Sequence, residues 1–298
     1  MDYHNPVLLK ETVDGLAIKP DGVYVDVTFG GGGHSREILK RLGADGNLFA
    51  FDQDKDALEN AIDDPRFTLI NENFRFAKRF LRFYGAAQVD GILGDFGVSS
   101  HQFDVAERGF STRFDAKLDM RMNQGDKLSA YHVVNEYAEE DLSRVLLQYG
   151  ELRSAPKLAR TLVSVRKDQP VETTEDLKQA LQSYLPKGRE HKLLAQIYQA
   201  IRIEVNQELE VLKEFLQQTE EMLKPGGRLS LISYHSLEDR LVKRYMRNGL
   251  FEGEPEKDIF GNFSVPFKKV GGLIVPSKEE IKQNNRARSA KLRVAEKL

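Results

Sequence analysis

The residues best suited to chemistry in this chain sit where strands run into loops. Asp26-Val27-Thr28-Phe29 leads into four consecutive glycines, Gly30 to Gly33, followed by His34 and Ser35. Glycines let a backbone turn tightly and approach a ligand closely. The N-terminus of the helix that follows offers unpaired N–H groups to an anionic group. Asp52 ends the next strand, at the distance of about 20 residues that suits a carboxylate accepting ribose hydroxyls. A glycine run alone is compatible with a plain turn. A glycine run followed by an acidic residue, both at strand ends and in this order, points to a nucleoside cofactor. A dinucleotide site asks for G-x-G-x-x-G, with the last glycine packing the helix tightly. Ser35 holds that position here, which argues against a nicotinamide oxidoreductase.

The elements that must position these groups alternate. Strand patterns cover Tyr24 to Phe29, Asn47 to Phe51, Phe67 to Ile70 and Val89 to Leu93, the last running on to Asp95. Helical spacing lies between them, from about Ser35, through Ala57, Leu58 and Ile62, and over Phe76, Phe80 and Phe83. This alternation predicts crossover units and a parallel sheet. From Ser129 to Leu223 the apolar spacing is almost wholly helical, punctuated by Pro156, Pro170 and Pro186. One segment opens with the capping-box pattern Thr173-x-x-Asp176. A long helix is predicted from about Lys192 to Leu223, stopping at Pro225-Gly226-Gly227. Strand character returns at Arg228 to Ser233, a helix follows from Ser236 to Met246, and Ala290 to Ala295 reads as a last strand. The Pro225–Arg228 turn before a fifth strand fits the methyltransferase variant of the α/β fold, and equally a simple helix stop. The predicted organisation is a methyltransferase domain in two parts, 1–105 and 206–298, interrupted by an all-helical domain, 106–205.

Composition bounds the function classes. The 298 residues suffice for one large or two ordinary domains, and 40% apolar with 30% charged residues is ordinary for a soluble protein. With no cysteine, disulfides, thiolate zinc sites and cysteine nucleophiles are excluded. The histidines are scattered with no pair at metal-ligand spacing, so no metal is expected. The first residues lack the pattern of a signal peptide, and no run approaches a membrane span. A soluble, cytoplasmic protein is the expectation. A net charge of −2 announces no nucleic-acid partner, so any such surface must be local.

Several segments taken together resemble the RsmH (MraW) family of bacterial ribosomal RNA methyltransferases. They are His4 to Leu9, Thr28 to Ser35, Asp95 to Ser100, Asp104 to Ser111 and Leu118 to Met122, then Arg202 to Leu209, Pro225 to Leu229, Ser233 to Arg240 and Arg286 to Arg293. The match runs in order over essentially the whole chain. The resemblance implies a Rossmann-like domain carrying a helical insertion. It implies methyl transfer from S-adenosyl-L-methionine to the exocyclic amine, at position 4, of a cytosine in the decoding centre of 16S rRNA, within the small ribosomal subunit. By motif, Gly32, Gly33, His34, Asp52, Phe74, Asp95 and Gln102 fall where the family binds the cofactor; Gly30 is a further cofactor candidate from the glycine run itself. Two departures stand beside this site: Gly94 where leucine is usual, and His101 where proline is usual.

A cytosine amine is a poor nucleophile, so the enzyme must align it with the methyl group and supply an acceptor for the charge that grows on nitrogen. The Asn/Ser-Pro-Pro-aromatic motif of amino-methyltransferases is missing. Asp95 with Ser99 is the candidate replacement, with a cofactor role for Asp95 as the other reading. His235, after the fifth strand, is a candidate proton acceptor or base-positioning group, or a structural residue of a strand–helix turn. For RNA contact, Lys282, Arg286, Arg288, Lys291 and Arg293 form a cationic tail with no acidic residue among them. A second stripe, Arg75, Lys78, Arg79 and Arg82, reads instead as the polar side of an amphipathic helix with its phenylalanines inward. A small-molecule or DNA methyltransferase and a non-catalytic RNA-binding factor are the competing classes. The sequence admits a homodimer and does not require one.

Overall fold

The structure is a computed structural model that describes residues 6–185, 188, 190–255 and 264–298. His4, Asn5 and Pro186, which entered the sequence reading, lie outside the described residues. The chain forms two compact units: the stretch up to Gly97 together with Leu209–Leu298, and Val98–Glu208, which lies between those halves in sequence. These divisions differ from 105/106 and 205/206, because Val98 and Phe103 already pack against the helical core.

The first stretch contains α1 (Leu9–Gly15), β1 (Val23–Asp26), α2 (Gly33–Arg41), β2 (Asn47–Phe51), β3 (Phe67–Ile70), α3 (Ala77–Phe83) and β4 (Val89–Asp95). Where a helix was expected through Ala57 and Ile62 there is only a 3-10 turn, Lys55–Asn60. Ala61 is already extended, and Pro65 disfavours helix in the residue before it. The phenylalanine expectation for α3 holds for Phe80, which packs inward against Phe51, and is corrected for Phe76 and Phe83. The helix starts at Ala77, so Ala77 and Leu81, one turn apart, face the sheet. Phe76 and Phe83 are left 43% and 79% exposed.

The helical unit holds α4 (Ser100–Asp104), α5 (Ala130–Glu136), α6 (Glu139–Gln148), α7 (Ala155–Asp168), α8 (Thr174–Ala180) and α9 (Glu190–Asn206). Its core includes Leu142, Leu146, Leu158, Leu162, Leu177 and Ile197, all fully buried. The Thr173 box forms as the sequence implies: the Thr173 hydroxyl accepts the Asp176 N–H, and the Asp176 carboxylate accepts the Thr173 N–H at 2.9 Å. The predicted long helix is two helices. Gln207, at φ 50, separates α9 from α10 (Glu208–Met222). Just before this break, Asn206 donates to Met120 O at 2.8 Å and accepts the Met122 N–H at 2.7 Å, and Arg202 pairs with Glu208. The break thus anchors the Met120–Met122 loop.

Beyond α10 come β5 (Leu223–Ser233), α11 (Ser236–Asn248), β6 (Phe267–Ile274), α12 (Lys278–Gln283) and β7 (Lys291–Lys297). The sheet order is β3-β2-β1-β4-β5-β7-β6, with the first five strands parallel and β7 antiparallel to both of its neighbours. Strand β6 and α12 carried no signal in the sequence reading. The parallel strands are nearly continuous apolar runs because both faces are covered, and Val25, Ile92 and Leu229 are fully buried. The strand order reverses between β1 and β4. Crevices at the carboxyl ends of strands beside such a reversal are where open α/β sheets bind ligands.

Gly94 lies in this region, inside β4. A Cβ there would stand 3.0 Å from both Leu231 Cδ2 and the Phe96 ring. The glycine is therefore matched to its own neighbours, and restoring the residue usual in the family overfills the site. Gly94→Leu is expected to lower stability by about 1–3 kcal/mol in denaturant unfolding; a variant as stable as the parent would refute that packing account.

Candidate active site

The glycine loop is tied down from three sides. The Gly30 N–H donates to Asp52 Oδ2 at 2.7 Å, Gly30 O accepts from Asn60 at 3.1 Å, and Gly31 O accepts from Arg36 at 2.6 Å. Gly32, at φ 74, is the N-cap of α2, and a Cβ there would stand 2.8 Å from the Phe29 ring. A Cβ on Gly33 would meet Pro6 at 2.1 Å. Packing against the N-terminal segment thus explains Gly33 by itself, independently of any ligand. Ser35, where a dinucleotide site would have glycine, is fully buried and donates to Asp26 Oδ2 at 2.7 Å.

Three carboxylates converge on the carboxyl ends of β1, β2 and β4. Burial, their dominant influence, raises Asp26 and Asp52 to about 6 and Asp95 to about 7. Hydrogen bonds from Ser35 and Thr28, from Asp54 and Gly30, and from Tyr234 respectively hold these values down. Among the described residues no lysine or arginine pairs with any of the three. His34 is near Asp95, with Nδ1 3.9 Å from Oδ2, yet it is no counter-ion. Burial lowers it to about 4, so it is neutral near pH 7. Its Nε2 lies 3.2 Å from Val7 O, which can only accept; Nε2 therefore carries the hydrogen and Nδ1 a lone pair.

Asp95 is held on one side only. Its N–H donates to Thr28 Oγ1 at 2.6 Å, and Tyr234 Oη donates to its Oδ1 at 2.7 Å. Oδ2 accepts no hydrogen bond among the described residues and is the open acceptor. Tyr234 escaped the sequence reading. The available signal was its place just past the end of β5, where Ile232 is in register with Asp95 on the neighbouring strand. His235 is the N-cap of α11, its Nδ1 accepting the Glu238 N–H at 3.4 Å. His235 Nε2 lies 3.1 Å from Glu238 Oε1 but is not aligned for a hydrogen bond. Phe74 is partly buried, 5.3 Å from Phe215 and 5.8 Å from Phe96 between ring centroids. Ser99 and Gln102 belong to the helical unit, where they form the capping box of α4. His101 stands in that helix's first turn, a place that also tolerates proline. Of the cationic residues, Arg75 and Lys78 pair with Glu214 and Glu221 of α10, whereas Arg293 and Lys291 pair with Asp239.

An anionic, cation-free cluster beside a left-handed glycine fits a positively charged nucleoside better than a pyrophosphate. S-adenosylmethionine, a sulfonium with ribose hydroxyls, matches this donor set. The fold and the cluster define a Rossmann-like α/β S-adenosylmethionine-dependent methyltransferase. Comparison with known proteins gives the family: residues 1–298 match the MraW methylase family, and the chain belongs to it. Curated relatives named ribosomal RNA small subunit methyltransferase H are 79% identical over 298 residues in Christiangramia forsetii, 72% over 298 in Flavobacterium johnsoniae and 57% over 297 in Cytophaga hutchinsonii. Each alignment covers at least 99% of this chain and 99% of the relative.

Two outcomes follow from the carboxylate cluster. A cationic ligand favours the ionised acids, so affinity for S-adenosylmethionine should rise from pH 5 to pH 8, and more than affinity for the uncharged-sulfur product S-adenosylhomocysteine. Calorimetry at several pH values checks this; parallel pH profiles for the two ligands would contradict it. Tyr234 lowers the Asp95 pKa, so Tyr234→Phe should move the acid limb of the kcat/KM profile to higher pH without weakening cofactor binding. An unmoved limb would remove Tyr234 from the site's electrostatics.

Proposed function

We propose that the protein methylates the exocyclic N4 of a cytosine in the decoding centre of 16S rRNA, with the small ribosomal subunit as its physiological partner. The observation that carries a methyl transfer to an amine is Asp95, which is held at Oδ1 by Tyr234 and open at Oδ2. The full-length relatives, whose name specifies small-subunit ribosomal RNA, support the choice of acceptor. The cytosine and its place in the ribosome rest on the family resemblance.

In this reading Gly30, Gly32, Gly33, His34, Asp52 and Phe74 form the cofactor cradle. Asp52 is oriented by the Gly30 and Asp54 N–H groups, one on each oxygen. The remaining lone pairs accept the two ribose hydroxyls. Phe74 offers a ring edge or face to the adenine, and its contacts with Phe215 and Phe96 fix its position. When bound, S-adenosylmethionine supplies a methyl group on a sulfonium that leaves as a neutral thioether.

Asp95 Oδ2 accepts a hydrogen bond from the cytosine amine and aims its lone pair at the methyl carbon. As the N–C bond forms, positive charge grows on nitrogen, and Asp95 stabilises it and takes the proton to be lost. A carboxylate raised to about 7 is matched to that transfer near neutral pH. The target base must leave its stack to reach a strand end. For Ser99, Gln102 and His235 the geometry supports helix capping; their expected contacts with cofactor or base rest on the resemblance alone.

The test is methyl transfer from labelled cofactor to small subunits lacking the modification, followed by mapping of the labelled nucleotide. Label on a cytosine N4 of 16S rRNA is expected; label confined to DNA or a metabolite would overturn the proposal. Asp52→Asn should weaken cofactor binding about 10- to 100-fold, the worth of a charged hydrogen-bond pair. Near-normal affinity in the folded variant would refute the ribose role. Asp95→Asn should bind cofactor yet lose most of kcat, and unchanged kcat would refute the acceptor role.

A further inference from the structure

Tyr234, whose hydroxyl bonds Asp95, also lines a second feature of the molecule. A cleft of about 300 Å³ is lined by Tyr234, His235 and Ser236 from the start of α11 and by Arg288, Ser289 and Lys291 from the segment leading into β7, among others. All of these residues belong to the sheet unit. The volume is at the lower end of what small-ligand sites span. It suits one nucleotide unit rather than a protein segment.

Two observations give the cleft its chemistry. It is bounded by the N-terminal turn of a 13-residue helix, whose dipole favours an anion. Two cations line the wall. Lys291 is engaged by Asp239 at 3.3 Å. Arg288 is exposed and makes no ion pair among the described residues. Of the acids beside the cleft, Asp239 is satisfied by Arg293 at 2.7 Å, and the buried Glu238 carboxylate accepts the Tyr234 N–H at 2.9 Å and lies 3.1 Å from His235 Nε2. Arg288 is therefore the one member of the five-residue cationic tail that combines exposure, a lining position and a free guanidinium.

We propose that this cleft seats a phosphate of the RNA strand next to the target nucleotide, with Arg288 as its principal ligand and Lys291 and the α11 N-terminus in support. The proposal rests on the reading of RNA as the methyl acceptor. Tyr234 connects the two sites: it lines the cleft while its hydroxyl holds Asp95. A strand anchored there by its backbone is placed beside the acceptor carboxylate, and a guanidinium matches a phosphate in two-point geometry.

The experiment compares wild type, Arg288→Gln and Arg288→Lys, using unmethylated 16S rRNA in small subunits. RNA affinity is measured over a range of potassium chloride concentrations, alongside KM, kcat and cofactor affinity. Arg288→Gln should raise KM for the RNA about tenfold and reduce the slope of log affinity against log salt by about one. Its kcat and cofactor affinity should stay at the wild-type values, and Arg288→Lys should recover much of the loss. A merely structural role would lower kcat, thermal stability or cofactor binding instead, and that outcome would overturn the proposal. So would an Arg288→Gln enzyme with wild-type RNA affinity and salt slope. Inorganic phosphate at matched ionic strength supplies the other arm: binding of phosphate that depends on Arg288 while RNA affinity does not would assign the cleft to a free anion and refute the RNA site. If wild type transfers no methyl to the RNA, the substrate reading itself fails, and that result is distinct from any difference among the variants.

Discussion

Uncompensated negative charge at the carboxyl ends of β1, β2 and β4 is the constraint around which the sheet unit is organised. Removing a carboxylate from water is costly unless hydrogen bonds or a counter-charge replace the lost solvation. Here hydrogen bonds are present and, among the described residues, counter-charges are not. Ser35 and the Thr28 N–H serve Asp26, Gly30 and Asp54 serve Asp52, and Tyr234 serves Asp95. The same bonds give the site its shape, because each joins a strand end to the loop beside it. The shortfall that remains is a standing preference for a cation, which suits the sulfonium of the cofactor.

The neighbouring strand explains why the site has two sides. Strand β5 lies parallel to β4, so the residues after Ser233 emerge beside Asp95. Strand β7 runs antiparallel to β5 and brings Ala290 and Lys291 back to the same edge. Tyr234 thus bonds Asp95 through its hydroxyl and also lines a cleft whose Arg288 and Lys291 come from more than fifty positions away in sequence. The separation of sign suits a reaction whose cofactor is a cation and whose proposed acceptor belongs to a polyanion.

Local features were readable where local physics decides them. The Thr173 capping box needs only four residues, and it forms as the pattern implies. The parallel strands were legible because their apolar runs are short and bounded, and Phe67–Ile70 was located to the residue. Reading failed where a longer-range contact governs. Residues Lys192 to Leu223 carry continuous helical spacing, but the chain breaks at Gln207, where Asn206 bonds across to the Met120–Met122 loop. Phe76 and Phe83 have helical spacing too, yet the sheet receives Ala77 and Leu81, because the start of the helix sets which face turns inward. Arg75, Lys78 and Arg82 of the basic stripe beside them pair with acids of α10, more than a hundred residues downstream.

The sequence by itself determined the class of fold, the order of glycine loop and strand-end acids, and, through ordered motifs over the whole chain, the family. These follow from periodicity and from residues adjacent along the chain. Tertiary structure alone decided that Asp95 is held by Tyr234, that His34 is neutral rather than a counter-ion, and which arginine of the tail makes no ion pair among the described residues. The reason is physical in each case. Burial sets the charge state of an acid or a histidine, and pairing sets the freedom of an arginine. Both depend on neighbours that strand order brings together, and the spacing of residues along the chain does not encode them.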